Sequence, residues 1–371
     1  MPERQRGKVL GQRALNRALL ERQLLTRRRR VPPARVVERL IGLQAQVPEP
    51  PYFGLWSRIA GSRPESLSRL LADREVVRIA LMRGTIHLVT ARDALALRPV
   101  LQPLFERWLK RSDWGKALVG LDLDPVVAAG RELVEERPRT FDELGRLLAA
   151  RWPDRDPAAL AQAIRGYLPL VQVPPRGLWG RSGPAAHTTA GHWLGRPPAA
   201  AAGADEVILR YLAAFGPASV ADMRCWSGLT GLREVVARLR PRLRTLRDEQ
   251  GRELFDLPDA PRPDPDSPVP VRLVAPFDNV LLSHDDRTRI MSDEYRKMIF
   301  TINGIVLGSV LVDGFVRGSW RIGRTRDDAT LTVELLRPLP DDDAAAVTAE
   351  AGRLLEFAAP GVAHEVRFVV R

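Results

Sequence analysis

The stretch Leu43-Gln44-Ala45-Gln46-Val47-Pro48-Glu49-Pro50-Pro51 ends the first long apolar segment of the chain and divides the elements around it. Proline lacks a backbone N–H and breaks a helix interior. The pattern therefore predicts a helix from about residue 34 to residue 46, with Gln44 and Gln46 in its last turn. Side chains two positions apart on a helix point about 200° apart, so the two amides converge only if the helix unwinds before Pro48. Taken alone, the residues favour glutamines that are solvated or that bond the last carbonyl groups.

The chain is strongly basic. Its 371 residues carry a formal net charge of +12, and most of the basic residues are arginine. This excess favours a polyanionic partner, either nucleic acid or an anionic membrane surface. Arginine forks onto phosphates and stacks on bases, which favours nucleic acid. The alternative is a GC-rich genome, because alanine, glycine and proline are abundant as well.

Cysteine and histidine usage argues against several classes of protein. Cys225 is the single cysteine, so an intramolecular disulfide and a cysteine-based metal site are excluded. No run of about 18 apolar residues is present, so a membrane-spanning helix is not expected. The five histidines lie far apart in the sequence. We therefore expect a cytoplasmic protein that needs neither a metal nor another cofactor.

Three segments of the chain share one outline, in which helices precede a β-rich hairpin. In the first, helical periodicity is followed by apolar β-type runs at 76–82 and 85–89, which turn at Arg83-Gly84. This order is typical of a winged helix. The second copy has helices at 125–136, 141–150 and 157–168, with Thr140 and Glu143 as a capping box and wing strands at 170–173 and 178–180. The third has helices at 205–215, from about 219, and at 230–239, then a hairpin over 243–257.

The last hundred residues differ in character. A proline-rich linker over 258–270 precedes strands predicted at 304–312, 314–322 and 329–336, a helix at 341–357 and a strand at 365–370. We therefore predict a mainly α fold with β structure (α+β), made of three tandem winged-helix motifs and a C-terminal α+β module. The predicted limits are 1–120, 121–200, 201–260 and 271–371.

Five segments, taken together, resemble the winged-helix DNA glycosylases of the AlkZ/YcaQ type. The resemblance covers nearly the whole chain in order, and the segments are Leu43-Gln44-Ala45-Gln46, Pro51-Tyr52-Phe53-Gly54-Leu55-Trp56-Ser57-Arg58, Met82-Arg83-Gly84-Thr85-Ile86-His87-Leu88, 276–287 and 312–321. It implies three winged helices in a C-shaped molecule that excises alkylated bases, including both ends of interstrand crosslinks. It also implies Gln44 and Gln46 as the catalytic residues. Glutamine at both positions is similar to the AlkZ branch, which protects producers of DNA-alkylating antibiotics.

A site made of two amides suits one kind of substrate. Alkylation at guanine N7 makes the base cationic, so the leaving group needs no general acid. An amide can position water and stabilise the developing sugar cation, but it is not a strong base. Lysine is scarce and none lies near the motif, so we expect a monofunctional glycosylase without a Schiff base. Glu49 is the nearest carboxylate in sequence, with a solvated loop residue as its alternative interpretation.

DNA contacts are predicted in three places. The 312–321 hairpin is the expected groove probe, with Arg317 and Arg321 on phosphates and Trp320 as a wedge; the alternative is a core tryptophan between solvated arginines. If the resemblance holds, the loop that carries His284, Arg287 and Arg289 contacts the DNA backbone; otherwise it is a solvated turn. Arg83 at the first wing tip is a further phosphate contact.

The predicted partner is double-stranded DNA with alkylated purines, without a membrane. Tandem winged helices in one chain remove the need for a dimer, so a monomer is expected. The alternative is a non-catalytic winged-helix transcription regulator, which gives the glutamines no role and usually binds two half-sites as a symmetric dimer. The two predictions differ in whether Gln44 and Gln46 line a shared basic surface.

Overall fold

The computed structural model describes residues 9–196 and 203–371. The first part of the chain holds β1 (Val9–Leu10), α1 (Gln12–Arg22), α2 (Pro33–Arg39), β2 (Leu43–Gln44), α3 (Pro50–Trp56), α4 (Pro64–Ala72), β3 (Val76–Ala80), β4 (Ile86–Thr90), α5 (Ala91–Val100), α6 (Gln102–Arg111) and α7 (Asp113–Ala117). The helix predicted to run to residue 46 ends at Arg39. Ile41 and Gly42 take φ angles of 55° and 92°, which no continuing α-helix allows. The chain then becomes strand β2.

The second part is three helices followed by two strands and a short helix. Its elements are α8 (Leu123–Glu136), α9 (Phe141–Ala149), α10 (Pro157–Tyr167), β5 (Leu170–Gln172), β6 (His187–Thr189) and α11 (Ala190–Leu194). The capping box of Thr140 and Glu143 is confirmed. The wing strand predicted at 178–180 is wrong, because β5 pairs with residues 187–189 instead. Trp179 is apolar for another reason, since its ring lies 4.9 Å from that of Tyr52.

The third part repeats the outline with little deviation from the prediction. It consists of α12 (Ala204–Phe215), α13 (Val220–Ser227), α14 (Leu232–Leu239), β7 (Arg244–Asp248) and β8 (Glu253–Asp256). The hairpin predicted over 243–257 is confirmed. Strand β1 pairs with β7 in parallel, so the described N-terminal strand completes a three-stranded sheet in the order β1-β7-β8.

The C-terminal part is a sheet covered by one long helix. It contains β9 (Arg272–Val274), α15 (Asn279–Leu282), α16 (Asp293–Ile299), β10 (Gly308–Val312), β11 (Phe315–Arg324), β12 (Asp328–Leu335), α17 (Asp341–Ala358) and β13 (Ala363–Val370). The five strands lie in the order β13-β12-β11-β10-β9. Apolar residues of α17, such as Val347 and Leu354, share a core with the sheet residues Leu331 and Val333. The predicted α+β module is confirmed.

A second five-stranded sheet, in the order β2-β4-β3-β5-β6, carries the candidate site. It joins strands from the first and second parts of the chain, because β3 pairs with β5 through Arg78 and Ile79. The mixed α+β fold is thus confirmed, and the sheet contains strands from both sides of the predicted limit at residue 120. The four domain limits and the C-shaped arrangement stay predictions. Among the described helices, none is long and apolar enough to cross a membrane.

Candidate active site

The first glutamine lies on a strand instead of a helix. Gln44 pairs with His87 across the antiparallel β2–β4 ladder. The pairing continues one residue further, where the Ala45 N–H donates to the Ile86 carbonyl at 2.7 Å. Helical geometry would have pointed the two glutamines about 200° apart. Because Gln44 lies on a strand, that divergence of the two side chains does not arise.

Gln44 is buried, with 8% of its surface exposed, and its amide is held by a cation. Its Oε1 accepts a hydrogen bond of 2.8 Å from Arg83, whose other terminal nitrogen donates to the Trp226 carbonyl at 2.8 Å. Burial lowers the pKa of Arg83 to about 10, so the guanidinium remains charged at neutral pH. Its hydrogen bonds lie within the protein, which differs from the predicted phosphate contact. Arg83 fixes the orientation of the Gln44 amide and links it to α13.

Gln46 is exposed and held from the same hairpin. Its Oε1 accepts a 3.1 Å hydrogen bond from the backbone N–H of Ile86. The carbonyl oxygens of both glutamines are thus engaged by residues of the β3–β4 hairpin. Each oxygen keeps a second lone pair. Within residues 9–196 and 203–371, neither NH₂ group has a hydrogen-bond partner, so both remain available as donors.

Arg78 fixes the residue between the two glutamines. Its terminal nitrogen donates to the Ala45 carbonyl at 2.8 Å, and its side chain is buried, with 2% exposed. Burial, and after it the charge of Arg176, lower the pKa of Arg78 to about 10. A buried charge without a carboxylate partner is costly, and in the part of the chain that the structure describes Arg78 has none. This arginine holds the backbone of the Gln-Ala-Gln motif.

His87 stands beside Gln44 on the neighbouring strand and is fully buried. Burial, and then the charge of Arg83, lower its pKa to about 3, so the ring is neutral at pH 7. Its Nδ1 lies 3.0 Å from the Thr85 carbonyl. A ring with this pKa is a poor proton donor at neutral pH. The sequence prediction did not single out His87, although its position on an apolar β-type run was a signal that it is buried.

A cavity of about 250 Å³ lies against Gln46. It is bounded by strands β3, β4, β5 and β6 of the shared sheet, by the end of α10 and by the loop before β6. Its walls combine apolar side chains with polar and basic ones, and no carboxylate lines it; the lining residues are Gln46, Ala80, Ile86, Arg98, Phe141, Arg165, Leu168, Leu170, Gln172, Arg176, Ala185 and His187. Sequence reasoning missed Gln172 and His187. Gln172 lies in a predicted wing strand, but nothing in the sequence marks its pairing with His187, whose strand was not predicted.

The predicted wedge, Trp320, is part of the core. It is buried, its Nε1 donates to the Val274 carbonyl at 2.8 Å, and its ring meets Phe53 edge-on at 5.5 Å. The wedge prediction is therefore wrong, and the alternative of a core tryptophan is confirmed. The neighbouring arginines are exposed as predicted. Arg321 is paired with Glu334 at 2.6 Å, whereas Arg317 has no ion-pair partner among the described residues.

The loop around His284 is buried beneath α12, so two of its predicted DNA contacts are wrong. His284 is buried, its Nε2 lies 3.0 Å from the Phe215 carbonyl, and burial lowers its pKa to about 3. Arg289 is also buried and donates to the Pro217 carbonyl at 2.7 Å. Arg287 is half-buried and lies 4.9 Å from the Phe300 ring. Hydrogen bonding to the interior explains why a loop can be polar without being solvated.

The tip of the 312–321 hairpin is docked on α1, so it does not probe a groove. Asp313 and Gly314 form the turn with φ angles of 46° and 82°. The Asp313 carboxylate pairs with Arg13 and Arg17. A Cβ atom added to Gly314 would lie 2.5 Å from Asn16, which leaves no room at the tip. The exposed turn is at the other end of β11, over residues 325–327. Next to it, Arg324 at the end of β11 lies 3.5 Å from Glu49 in the loop after Gln46.

Comparison with known proteins identifies the family to which this chain belongs. Residues 37–357 match the family model described as "DNA glycosylase AlkZ-like". The class of protein is therefore a DNA glycosylase, an enzyme that hydrolyses N-glycosyl bonds. More narrowly, the chain belongs to the AlkZ-like family, which confirms the resemblance drawn from its motifs. Membership in a family of enzymes sets aside the alternative of a non-catalytic regulator.

Two matches, one to a curated sequence and one to a solved structure, come from Streptomyces sahachiroi. One, named an interstrand DNA cross-link repair glycosylase, is 29% identical over 329 residues, which cover 82% of this chain and 85% of the relative. The other is a solved structure, the DNA glycosylase AlkZ, with a TM-score of 0.80 and 24% identity over 97% of this chain and 100% of that one. The structural match supports the fold. Over the described residues, no group of three or more His, Cys, Asp or Glu side chains is arranged to hold a metal ion.

Proposed function

We propose that this enzyme hydrolyses the N-glycosidic bond of N7-alkylated guanine in double-stranded DNA and leaves an abasic site. Its substrates include interstrand crosslinks or bulky natural-product adducts, and its role is repair and self-resistance to a DNA-alkylating antibiotic. It acts as a monomer in the cytoplasm. The observation that carries the proposal is the pair of amides at Gln44 and Gln46, whose carbonyl oxygens are both held by one hairpin.

The proposed chemistry follows from what amides can do. The base is already cationic, so the C1′–N9 bond breaks with its electron pair moving to the base and positive charge moving to the sugar. Gln46 is the exposed amide, and the second lone pair of its carbonyl oxygen orients the attacking water. Gln44 offers the second lone pair of its buried carbonyl oxygen to the sugar cation. The water loses its proton to solvent after it has bonded to C1′, so no strong base is required.

The charge of the substrate sets the selectivity. Without a general acid, departure of a neutral purine from undamaged DNA gains little from this site. Glu49 is the carboxylate nearest to the motif in sequence, and it lies 3.5 Å from Arg324 in the exposed turn region. We therefore propose that the enzyme leaves normal bases in place. The name of the 29% identical relative, an interstrand DNA cross-link repair glycosylase, supports a crosslinked substrate.

The test uses duplex DNA with a single N7-methylguanine, incubation with the full chain, and alkaline scission of abasic sites. We expect cleavage at the modified position and none in an unmodified duplex. A second arm with a defined N7–N7 crosslink measures release of the two strands. Absence of excision in both arms, in a preparation that binds duplex DNA, would sink the proposed function.

A further inference from the structure

We propose that the cavity beside Gln46 is a binding pocket for the purine base as it leaves the sugar. The inference rests on the proposed function, because it assigns a place to the base that the two amides release. The cavity has a volume of about 250 Å³ and is lined by Gln46 itself. A ligand in this cavity is therefore next to the proposed water-positioning amide. Its walls suggest a planar, partly polar heterocycle.

Two buried polar atoms on the β5–β6 side of the cavity lack partners among the described residues. They are Oε1 of Gln172 and Nδ1 of His187. The two residues lie directly opposite each other in the β5–β6 ladder, so their side chains share one face of the sheet. His187 is only 3% exposed. A buried polar group without a hydrogen bond costs about 1–3 kcal/mol, and a ligand with matching groups removes that cost.

A 7-alkylguanine has the matching groups. Its N1–H and 2-amino group are donors for Oε1 of Gln172, and its O6 is an acceptor. Nε of Arg176 is a third buried atom without a partner in the described structure, and it is a donor for O6. Burial lowers the pKa of His187 to about 4, so the ring is neutral and supplies one donor and one acceptor. Ile86, Leu168, Leu170 and Phe141 supply the apolar walls that a purine ring requires.

The charge of the pocket favours the leaving base over the bound one. Arg98, Arg165 and Arg176 line the cavity without a carboxylate. N7-alkylguanine is a cation before cleavage and a neutral molecule after it, because the electron pair of the C1′–N9 bond moves to the base. Cationic walls repel the first species and tolerate the second, so they favour the transfer of electrons to the base. A DNA phosphodiester, as an anion, is the competing occupant, but it has no O–H group to donate to Gln172.

The test measures binding of free 7-methylguanine to the full-length protein by isothermal titration calorimetry. We expect a 1:1 complex that Gln172→Ala weakens about tenfold, the effect of one buried hydrogen bond. Gln162→Ala is the matched control. Gln162 is a neighbouring glutamine with a similarly unpartnered Oε1, but it does not line the cavity. Its substitution leaves the affinity unchanged.

A second measurement separates catalysis from folding. Single-turnover excision by Arg176→Gln falls with little change in duplex affinity, whereas Arg181→Gln, an exposed arginine in the same loop, has no effect. Any of three results would overturn the proposed pocket. The wild type could fail to bind 7-methylguanine, Gln172→Ala could bind it equally well, or inorganic phosphate could displace the base. A wild type that excises without binding the free base refutes only the pocket. One that binds the base without excision refutes the proposed function.

Discussion

Gln44 and Gln46 are separated by one residue and occupy very different surroundings. Gln44 is buried and accepts a hydrogen bond from a charged guanidinium. Gln46 is exposed, accepts from a backbone N–H and borders a cavity. The same hairpin holds both amides, so the difference arises from what lies around the hairpin. One amide is locked in place, and the other is free to meet a ligand and water.

This difference suggests a division of labour between the two amides. A charge-assisted hydrogen bond is stronger than a neutral one, so Gln44 loses little freedom when substrate binds. The bond also draws electron density from its carbonyl, which makes the NH₂ group a better donor. Gln46 is exposed, so water can reach its amide and exchange there. We therefore expect substitutions around Gln44 to change the orientation of its amide. Substitutions around Gln46 should change how the substrate and the attacking water are bound.

The largest predicted effect is the loss of either amide. Gln44→Ala and Gln46→Ala each lower single-turnover excision of N7-methylguanine by about 10²–10³-fold, the usual effect of removing a positioned polar group. Both variants keep the affinity of the wild type for undamaged duplex. Gln162→Ala again serves as the control. If either alanine variant excises at the wild-type rate, that residue has no part in the chemistry.

The second-largest predicted effect tests the role of Arg83, the cation that holds the Gln44 amide. Arg83→Met removes the donor and leaves a buried Oε1 unpaired, so kcat falls about 10–50-fold while KM changes little. The first wing tip was predicted to hold a phosphate, and that role would raise KM and reduce the salt dependence of binding instead. Arg317→Ala, at an exposed arginine, shows the second pattern and serves as the comparison. If Arg83→Met raised KM without lowering kcat, Arg83 would instead be a DNA-binding residue.

A smaller effect concerns stability in acid. His87 beside Gln44 has a pKa of about 3 in the folded protein and about 6.5 when unfolded. Because the folded pKa is the lower one, the unfolded state binds the proton first, and stability is lost as the pH falls from 6.5 towards 3. At pH 5 this histidine costs about 2 kcal/mol. His87→Gln should remove that part of the loss in urea unfolding curves recorded at pH 7.5 and pH 5. An identical acid loss in both proteins would contradict the assignment.

The smallest predicted effect concerns DNA binding by the exposed turn between β11 and β12, which lies next to the loop after Gln46. Arg326→Ala should weaken binding to duplex DNA about two- to fivefold and lower the salt dependence by about one counterion. Asp313→Asn at the docked turn disturbs its pairs with Arg13 and Arg17 and lowers the melting temperature without a direct effect on DNA binding. Fluorescence anisotropy at several salt concentrations measures the first, and thermal unfolding the second. A reversed pattern would mean that the docked turn detaches to contact DNA.

The sequence predicted the α+β composition and most elements because periodicity and capping are local. The capping box at Thr140 and the hairpin over 243–257 are examples. It failed where an element is defined by a distant partner. Residues 43–44 form a strand because β4 lies beside them, and Leu178-Trp179 is apolar because it packs on α3. Local propensity cannot report either contact.

The candidate site shows the same limit. The motif pointed to Gln44 and Gln46, but residue types do not tell whether an arginine is displayed or buried. Arg317 and Arg289 look alike in sequence, and the structure exposes one and buries the other. Gln172 and His187 come together through strand pairing between segments that the sequence does not align. Such residues could be found only once the register of the sheet was known.

The ion pair between Arg58 and Asp278 has a consequence for synthesis. Both groups are buried, they are joined by two hydrogen bonds of 2.8 Å, and 220 residues separate them in sequence. Arg58 follows α3, the helix that begins after the glutamine motif. At about 5–20 residues per second, a ribosome needs roughly 11–44 s to deliver the partner. During that time an uncompensated guanidinium resists burial, so the core around Arg58 can close only after most of the chain has emerged.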